Sequence, residues 1–196
     1  MAVLIVKELI ERYNIDGNEV HAAFLDMSKA YDCLNHYTLI EKLIKAGLPS
    51  GVISIIKAVY FNQKIFSTYA DSSTESCRIG NGIRQGGILS GILFNFYIDS
   101  MIKLINSTNS GCILHHNKYA IVAYADDLVL LSPSKQGLQH LCNMVSTELL
   151  KLDLKLNPWK CKYLRFRKGV YRKLCFIYIN NCKVDESEIS RYILNV

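Results

Sequence analysis

The sequence predicts an α+β chain, and three observations carry that prediction. Two short apolar runs meet at an acidic turn around Asp126 and Asp127, several longer stretches repeat apolar residues at helical spacing, and further strand-like runs come in pairs about polar turns. Hydrophobic residues make up 50% of the 196 positions and charged ones 20%, which suits one domain or a small pair with a substantial core.

Val3, Leu4, Val6, Leu9 and Ile10, opposed by Lys7, Glu8, Glu11 and Arg12, predict an amphipathic helix over residues 2–13, ended by the polar stretch 14–18 with Gly17. Residues 21–26 read as a strand terminating at Asp26. Asn35 suits the cap of a helix carrying Leu39, Ile40, Leu43 and Ile44, which Gly47 and Pro49 stop. A second helix follows from residue 50 to about 61, and both are expected to pack on a sheet. Residues 65–69 and 76–79 predict a hairpin with a polar loop. Residues 80–87 then hold four glycines, either an ordinary connection or a loop that lets backbone approach a ligand while Arg84 and Gln85 bond phosphate or base. Residues 88–105 predict a long, largely buried helix. His115 and His116 are adjacent, would not share one strand face, and read as surface or partly packed residues.

In the central stretch, residues 119–124 and 128–131 have the length and apolar content of buried strands, with the two aspartates at the tip of the hairpin. Paired carboxylates beside a core repel each other and resist desolvation, so they need solvent or a cation, and Mg²⁺ is the hard cation held by a few carboxylates plus phosphates. An exposed Asp-Asp turn fits the same residues. Residues 136–152 predict another amphipathic helix through Leu138, Leu141, Val145, Leu149 and Leu152. Beyond it, Lys155, Lys160, Lys162, Arg165, Arg167 and Lys168 alternate with Trp159, Tyr163 and Phe166. Cations for phosphates and aromatic faces for stacking suit a nucleic-acid surface, as they also suit a solvated strand edge. Residues 174–179 and 182–184 predict a small hairpin about Asn180 and Asn181.

The net charge of +6 and pI near 8.9 favour a polyanionic partner, nucleic acid before a membrane surface. The seven cysteines form no CxxC pair or zinc-type spacing and read as free thiols of a reducing compartment. Early acid and base in residues 1–10 argue against a secretory signal, and the lack of a long uncharged apolar run argues against a membrane span, so an intracellular protein is expected.

The order Asp26, glycine loop, Asp126-Asp127 is more specific than any one of its parts. Phe24-Leu-Asp-Met-Ser-Lys-Ala-Tyr-Asp32, Gly82-Ile-Arg-Gln-Gly-Gly-Ile-Leu-Ser90 with Leu93-Phe-Asn95, Tyr124-Ala-Asp-Asp127 and Leu154-Lys-Leu-Asn-Pro-Trp-Lys-Cys-Lys162 together resemble the reverse transcriptases of non-LTR retrotransposons. The resemblance covers about residues 20–168. It implies a polymerase palm, an antiparallel sheet backed by helices, within a partial reverse transcriptase domain over residues 1–196 whose primer-gripping region starts at about 170–196.

By the same resemblance, two Mg²⁺ ions, with Mn²⁺ as a substitute, would serve transfer of deoxynucleoside triphosphates onto a DNA primer along an RNA template. Asp26 and Asp126 are the first choices as metal ligands; Asp127 follows, because neighbouring strand residues point to opposite faces and it joins them only through the turn. Lys160 would protonate or neutralise the leaving pyrophosphate, with Lys162 as the alternative. Tyr31 would crowd the sugar 2′ carbon and exclude ribonucleotides, unless it is a plain core tyrosine. Arg84, Gln85 and Gly86 would line the nucleotide and template base, and Trp159, Lys162 and Arg165 would contact nucleic acid. Asp32 is expected to be structural.

Two departures stand out. Ser90-Gly91 replaces the Ser-Pro usual in related elements and loosens the start of the helix, and fingers and thumb are expected to be largely missing, which implies a palm-centred fragment, either a partial copy inactive because truncated or one whose missing parts another chain supplies. Competing readings are a non-catalytic nucleic-acid-binding remnant and an RNA-directed RNA polymerase; Tyr31 and Arg84-Gln85-Gly86 oppose the latter.

Overall fold

The computed structural model describes residues 2–61, 63–65, 68–69, 72–73, 77–78, 80–167 and 175–187. Helix α1 (Ala2–Ile15) leads into strand β1 (Val20–Leu25), the one-turn α2 (Ala30–Cys33), α3 (His36–Lys45) and α4 (Ser50–Phe61). The two-residue strands β2 (Lys64–Ile65), β3 (Thr68–Tyr69), β4 (Ser72–Ser73) and β5 (Cys77–Arg78) precede α5 (Ser90–Asn106). Then follow β6 (Cys112–Leu114), β7 (Asn117–Tyr119), β8 (Ile121–Tyr124), β9 (Asp127–Ser132), α6 (Lys135–Lys151), β10 (Lys162–Phe166), β11 (Phe176–Ile179) and β12 (Cys182–Asp185). The chain divides into two compact units, residues 1–28 with 98–196, and residues 29–97. Of the expected primer-gripping region at about 170–196, residues 175–187 are described and the rest lies outside the described residues.

The first unit is built on a four-stranded antiparallel sheet in the order β10-β1-β9-β8. Val20, Ala22, Ala23 and Leu25 fill both faces of the central strand β1. Val20, Ala22, Leu131, Leu164 and Phe166 form one cluster with Val6, Leu9 and Ile10 of α1 and with Cys112 and Leu114. Burying a leucine as fully as Leu9 contributes about 1.5–3 kcal/mol. Val3 and Leu4, expected on the same apolar face of α1, are exposed; its buried stripe starts at Val6. Helix α6 packs on β1, β9 and β11 through a stripe that includes Leu138, Leu141, Val145 and Leu149, and the Ser134 hydroxyl caps it by accepting the Gly137 N–H at 3.1 Å.

Two hairpins turn on pairs of left-handed residues. Asn180 and Asn181 (φ 49° and 63°) join β11 to β12, as expected for asparagine, whereas His115 and His116 (φ 47° and 69°) join β6 to β7. The histidines are thus exposed turn residues, and β7 ends at Tyr119 rather than running on into the acidic hairpin.

His21 is the polar exception in β1. Its Nε2–H donates to the Glu19 carboxylate at 3.1 Å and its Nδ1 accepts the Tyr163 O–H at 2.7 Å. Burial holds the ring below its ordinary value of 6.5, outweighing the opposing pull of Glu19 and Glu186, while Arg165 lowers it further; the Glu19 contact is therefore a hydrogen bond to a neutral imidazole. Above 6.5 neither state is charged and full stability is present; as pH falls below that value the unfolded chain takes the proton first, and stability declines until the lower folded-state pKa is reached. His21→Gln is expected to shrink the drop in melting temperature between neutral and mildly acidic buffer; an unchanged drop would assign the acid sensitivity elsewhere.

In the second unit, Asn35 Oδ1 caps α3 by accepting the N–H groups of Tyr37 (2.9 Å) and Thr38 (3.2 Å). Helices α3 and α4 pack on each other, with Leu39, Leu43, Ile53, Ile56 and Tyr60 buried. The expected hairpin appears as the ladders β2–β5 and β3–β4. Cys33, Cys112, Cys142, Cys161, Cys175 and Cys182 are free; Cys112 and Cys142 are buried, and burial pushes both thiols up to about 12. Among the described residues no helix is long and apolar enough to cross a membrane.

Candidate active site

Sheet register brings three chain segments to one end of the first unit. β1 pairs with β9 as far as Leu25–Leu128 and with β10 as far as Phe24–Lys162. One step further along the β1–β9 register sets Asp26 level with Asp127; on the other side the β10 register is broken, Met27 bridges Leu156, and Lys160 reaches Asp26 from the loop before β10. β8 and β9 close on the pair Tyr124–Asp127, so the two-residue turn is Ala125-Asp126. The two aspartates do not share the turn: Asp126 sits in it and Asp127 opens the strand. Asp127 thus opens β9 one step beyond the Leu25–Leu128 pair, the step at which Asp26 leaves β1, and Asp126 alone depends on the turn for its position.

The hairpin is held in place from outside and strained within. Asn106 Oδ1 accepts the N–H groups of Ala120 (2.9 Å) and Ile121 (3.1 Å), anchoring the start of β8 at the end of α5. Ala125 takes a φ of 55°, which few residues with a Cβ adopt.

Of the three carboxylates, Asp127 senses the other two. Burial, followed by the charges of Asp126 and Asp26, raises the Asp127 carboxyl above its ordinary value. Lys160 Nζ stands 4.0 Å from Asp26 Oδ1, with side chains 68% and 37% exposed, so solvent screens the pair and its worth is small. Among the described residues no three carboxylate, imidazole or thiol groups enclose a metal ion by themselves. What remains is an oxygen donor set from two segments, open to solvent and with unbalanced negative charge. It fits a hard cation that fills its shell with water and substrate phosphates, and not a caged resident metal.

The loop before β10 was legible as a motif but not as a structural element. Residues 155–161 form a turn-rich loop, not a basic aromatic strand. Trp159 is 90% exposed on it, beside Lys160, and Lys162 is half-buried at the start of β10. Arg165 is 11% exposed and its Nε–H donates to Glu186 (9% exposed) at 3.2 Å, while the other Glu186 oxygen accepts the Cys175 N–H at 2.9 Å. A guanidinium so engaged has its partner inside the protein, and Arg165 drops out of the proposed surface for that reason. Two residues that sequence reasoning passed over, Asn157 and Cys161, contact the Asp26 peptide directly. The Asn-Pro pair at 157–158 signals a turn, but nothing local signals its partner.

In the second unit, Tyr31 stacks on Phe94 with ring centroids 4.9 Å apart and stays half-buried, and its carbonyl accepts the Ile83 N–H at 2.8 Å. Asp32 is exposed. Arg84, Gln85 and Gly86 lie exposed on a turn, with Gly86 at φ 78°. The Ser90 hydroxyl donates to the Arg84 carbonyl at 2.6 Å, so α5 starts firmly at Ser90 although Gly91 follows.

This mixed fold, an antiparallel sheet with helices, is shared with solved structures of telomerase from Candida tropicalis. The apo enzyme truncated of its C-terminal domain matches with a TM-score of 0.63 at 16% identity, covering 93% of this chain and 37% of that one. The complex with a fragment of telomeric RNA matches at 0.64 and 16%, covering 85% and 29%. The family described as reverse transcriptase (RNA-dependent DNA polymerase) matches residues 4–188, and the chain belongs to it. Its relatives include Pol polyproteins of R2 retrotransposable elements: 31% identical over 78% of this chain in Nasonia vitripennis, 33% over 74% in Bradysia coprophila and 30% over 86% in Drosophila melanogaster. The chain spans about 15–16% of the length of these relatives.

Proposed function

We propose that this chain is the palm of a non-LTR retrotransposon reverse transcriptase, extending a DNA primer with deoxynucleotides along an RNA template. The observation that carries the reading is the approach of Asp26 to the Asp126-Asp127 hairpin at one end of the sheet, where the charges of Asp26 and Asp126 act on Asp127. Asp26, Asp126 and Asp127 would hold two divalent cations, Mg²⁺ or Mn²⁺, which when bound supply charge stabilisation for the attacking primer hydroxyl and the leaving pyrophosphate. Lys160, exposed beside Asp26, would donate a proton from Nζ to the leaving pyrophosphate. Trp159 and Lys162 would offer a stacking face and a cation to the nucleic acid. In the second unit, Arg84, Gln85 and Gly86 would contact nucleotide and template, and the Tyr31 ring, braced by Phe94, would exclude the ribose 2′-hydroxyl. The R2 relatives support membership of such an element and work alongside further polymerase segments.

The test is primer extension by the purified chain on an RNA template, with Mg²⁺ or Mn²⁺ and with deoxy- or ribonucleotides. Deoxynucleotide addition is the expected result. Binding of primer and template without addition would replace the reading with a nucleic-acid-binding remnant. Tyr31→Val is expected to raise ribonucleotide use relative to deoxynucleotide use by about tenfold, a loss of roughly 1.4 kcal/mol of discrimination. An unchanged ratio would leave Tyr31 as a packing residue only.

A further inference from the structure

Asp26 lies one residue beyond the end of β1, where the ladder no longer holds its backbone. Its peptide groups are instead taken up by the loop before β10. The Asp26 carbonyl accepts the Asn157 N–H at 2.8 Å, and the Asp26 N–H donates to Cys161 Sγ at 3.4 Å. Cys161 Sγ–H lies 4.0 Å from the same carbonyl. The contact continues through the Met27–Leu156 bridge and the bond from Ser28 N–H to the Lys155 carbonyl at 2.8 Å. The loop is itself closed, since the Asn157 carbonyl accepts the N–H groups of Lys160 (3.1 Å) and Cys161 (3.2 Å). A carboxylate that must meet a metal within a fraction of an ångström needs a fixed backbone beneath it.

We infer that the loop at residues 157–161 is a clamp on Asp26, and that Cys161 is a positioning residue whose sulfur fixes the Asp26 N–H and thereby aims its carboxylate. The clamp rests on the reading of Asp26 as a metal ligand. It is distinct from that reading, because what Cys161 contacts is the Asp26 peptide. A buried sulfur of this size serves as a weak acceptor while filling an apolar site, a combination that valine keeps only by shape and serine only by polarity.

The test uses the whole chain with Cys161→Val and Cys161→Ser, alongside Asp26→Asn. Amide hydrogen exchange, read residue by residue by NMR, reports the clamp whether or not the chain polymerises. In Cys161→Val the Asp26 amide is expected to exchange at least tenfold faster while the amides of Ala22 and Ala23 keep their protection, and Cys161→Ser restores it. In primer extension, Cys161→Val is expected to lower kcat by about tenfold or more, leave KM for the nucleotide within threefold, and raise the Mg²⁺ concentration needed for half-maximal rate. Unchanged exchange at Asp26 would overturn the clamp outright. Faster exchange at Asp26 with unaltered kcat and Mg²⁺ requirement would overturn its functional role. An Asp26→Asn variant as active as wild type would instead remove the reading of Asp26 on which the clamp depends.

Discussion

Replacing Asp126 by asparagine is expected to lower primer extension by about a thousandfold or more, the size of losing several kcal/mol of charge stabilisation in the transition state. Asparagine keeps the shape of the side chain, so the turn at Ala125-Asp126 has no steric reason to change. Stability should move the other way. Asp127 carries a carboxyl raised by burial and by the neighbouring charges of Asp126 and Asp26, which means the folded chain disfavours its ionised form. Neutralising Asp126 relieves that repulsion, so the variant is expected to melt at the wild-type temperature or slightly above it. Lost activity with retained or raised stability separates a functional carboxylate from a structural one, because a structural aspartate lost to asparagine lowers both. Extension within tenfold of wild type would sink the assignment of Asp126, and a lowered melting temperature would show that the carboxylate bonds within the turn.

The position of this site was readable because its parts obey local rules. The apolar run of β1 stops at Asp26, and a hairpin with an acidic turn needs only two strand-like stretches and a polar break between them. Its inner detail was not readable for the same reason. Acidic residues favour turns, so Asp126-Asp127 looked like the tip; the observed turn begins instead at Ala125, in a left-handed conformation for which alanine gives no signal. Asn180-Asn181 does give that signal, and that hairpin fell where expected, while His115-His116 adopts the same geometry unannounced. The engagement of Arg165 with Glu186 and the grip of the loop at 157–161 on Asp26 are pairings across sequence distance. Residues 26 and 161 stand 135 positions apart, beyond any periodicity or motif window. A motif could therefore suggest that the two segments belong to one site, but not which backbone groups join them.

Gly82→Ala is expected to destabilise the second unit by about 2–5 kcal/mol, summing roughly 1–2 kcal/mol for a left-handed backbone and roughly 1–3 kcal/mol for overpacking. Gly82 has a φ of 90°, and a Cβ there would lie 2.8 Å from the Asp32 carbonyl oxygen, 3.0 Å from the Asp32 Cα and 3.0 Å from the Tyr31 carbonyl oxygen. All three are backbone atoms, so no rotamer change relieves the contact. Nor can the loop simply lift away. The Gly82 N–H donates to the Leu34 carbonyl at 2.7 Å, its carbonyl accepts His36 Nε2–H at 2.5 Å, and Ile83 N–H bonds the Tyr31 carbonyl at 2.8 Å. Gly80→Ala is the control, since nothing lies within 4 Å of a Cβ there and its φ is ordinary; it should stay within about 0.5 kcal/mol of wild type. Urea unfolding of the two variants beside wild type measures the difference. Because the glycine loop is fastened to the Tyr31 and Asp32 backbone, Gly82→Ala should also relax sugar selection in the surviving folded fraction, as Tyr31→Val does. Equal unfolding midpoints for Gly82→Ala and Gly80→Ala would show that the loop stands off residues 31–32, and would remove the support it lends to Tyr31.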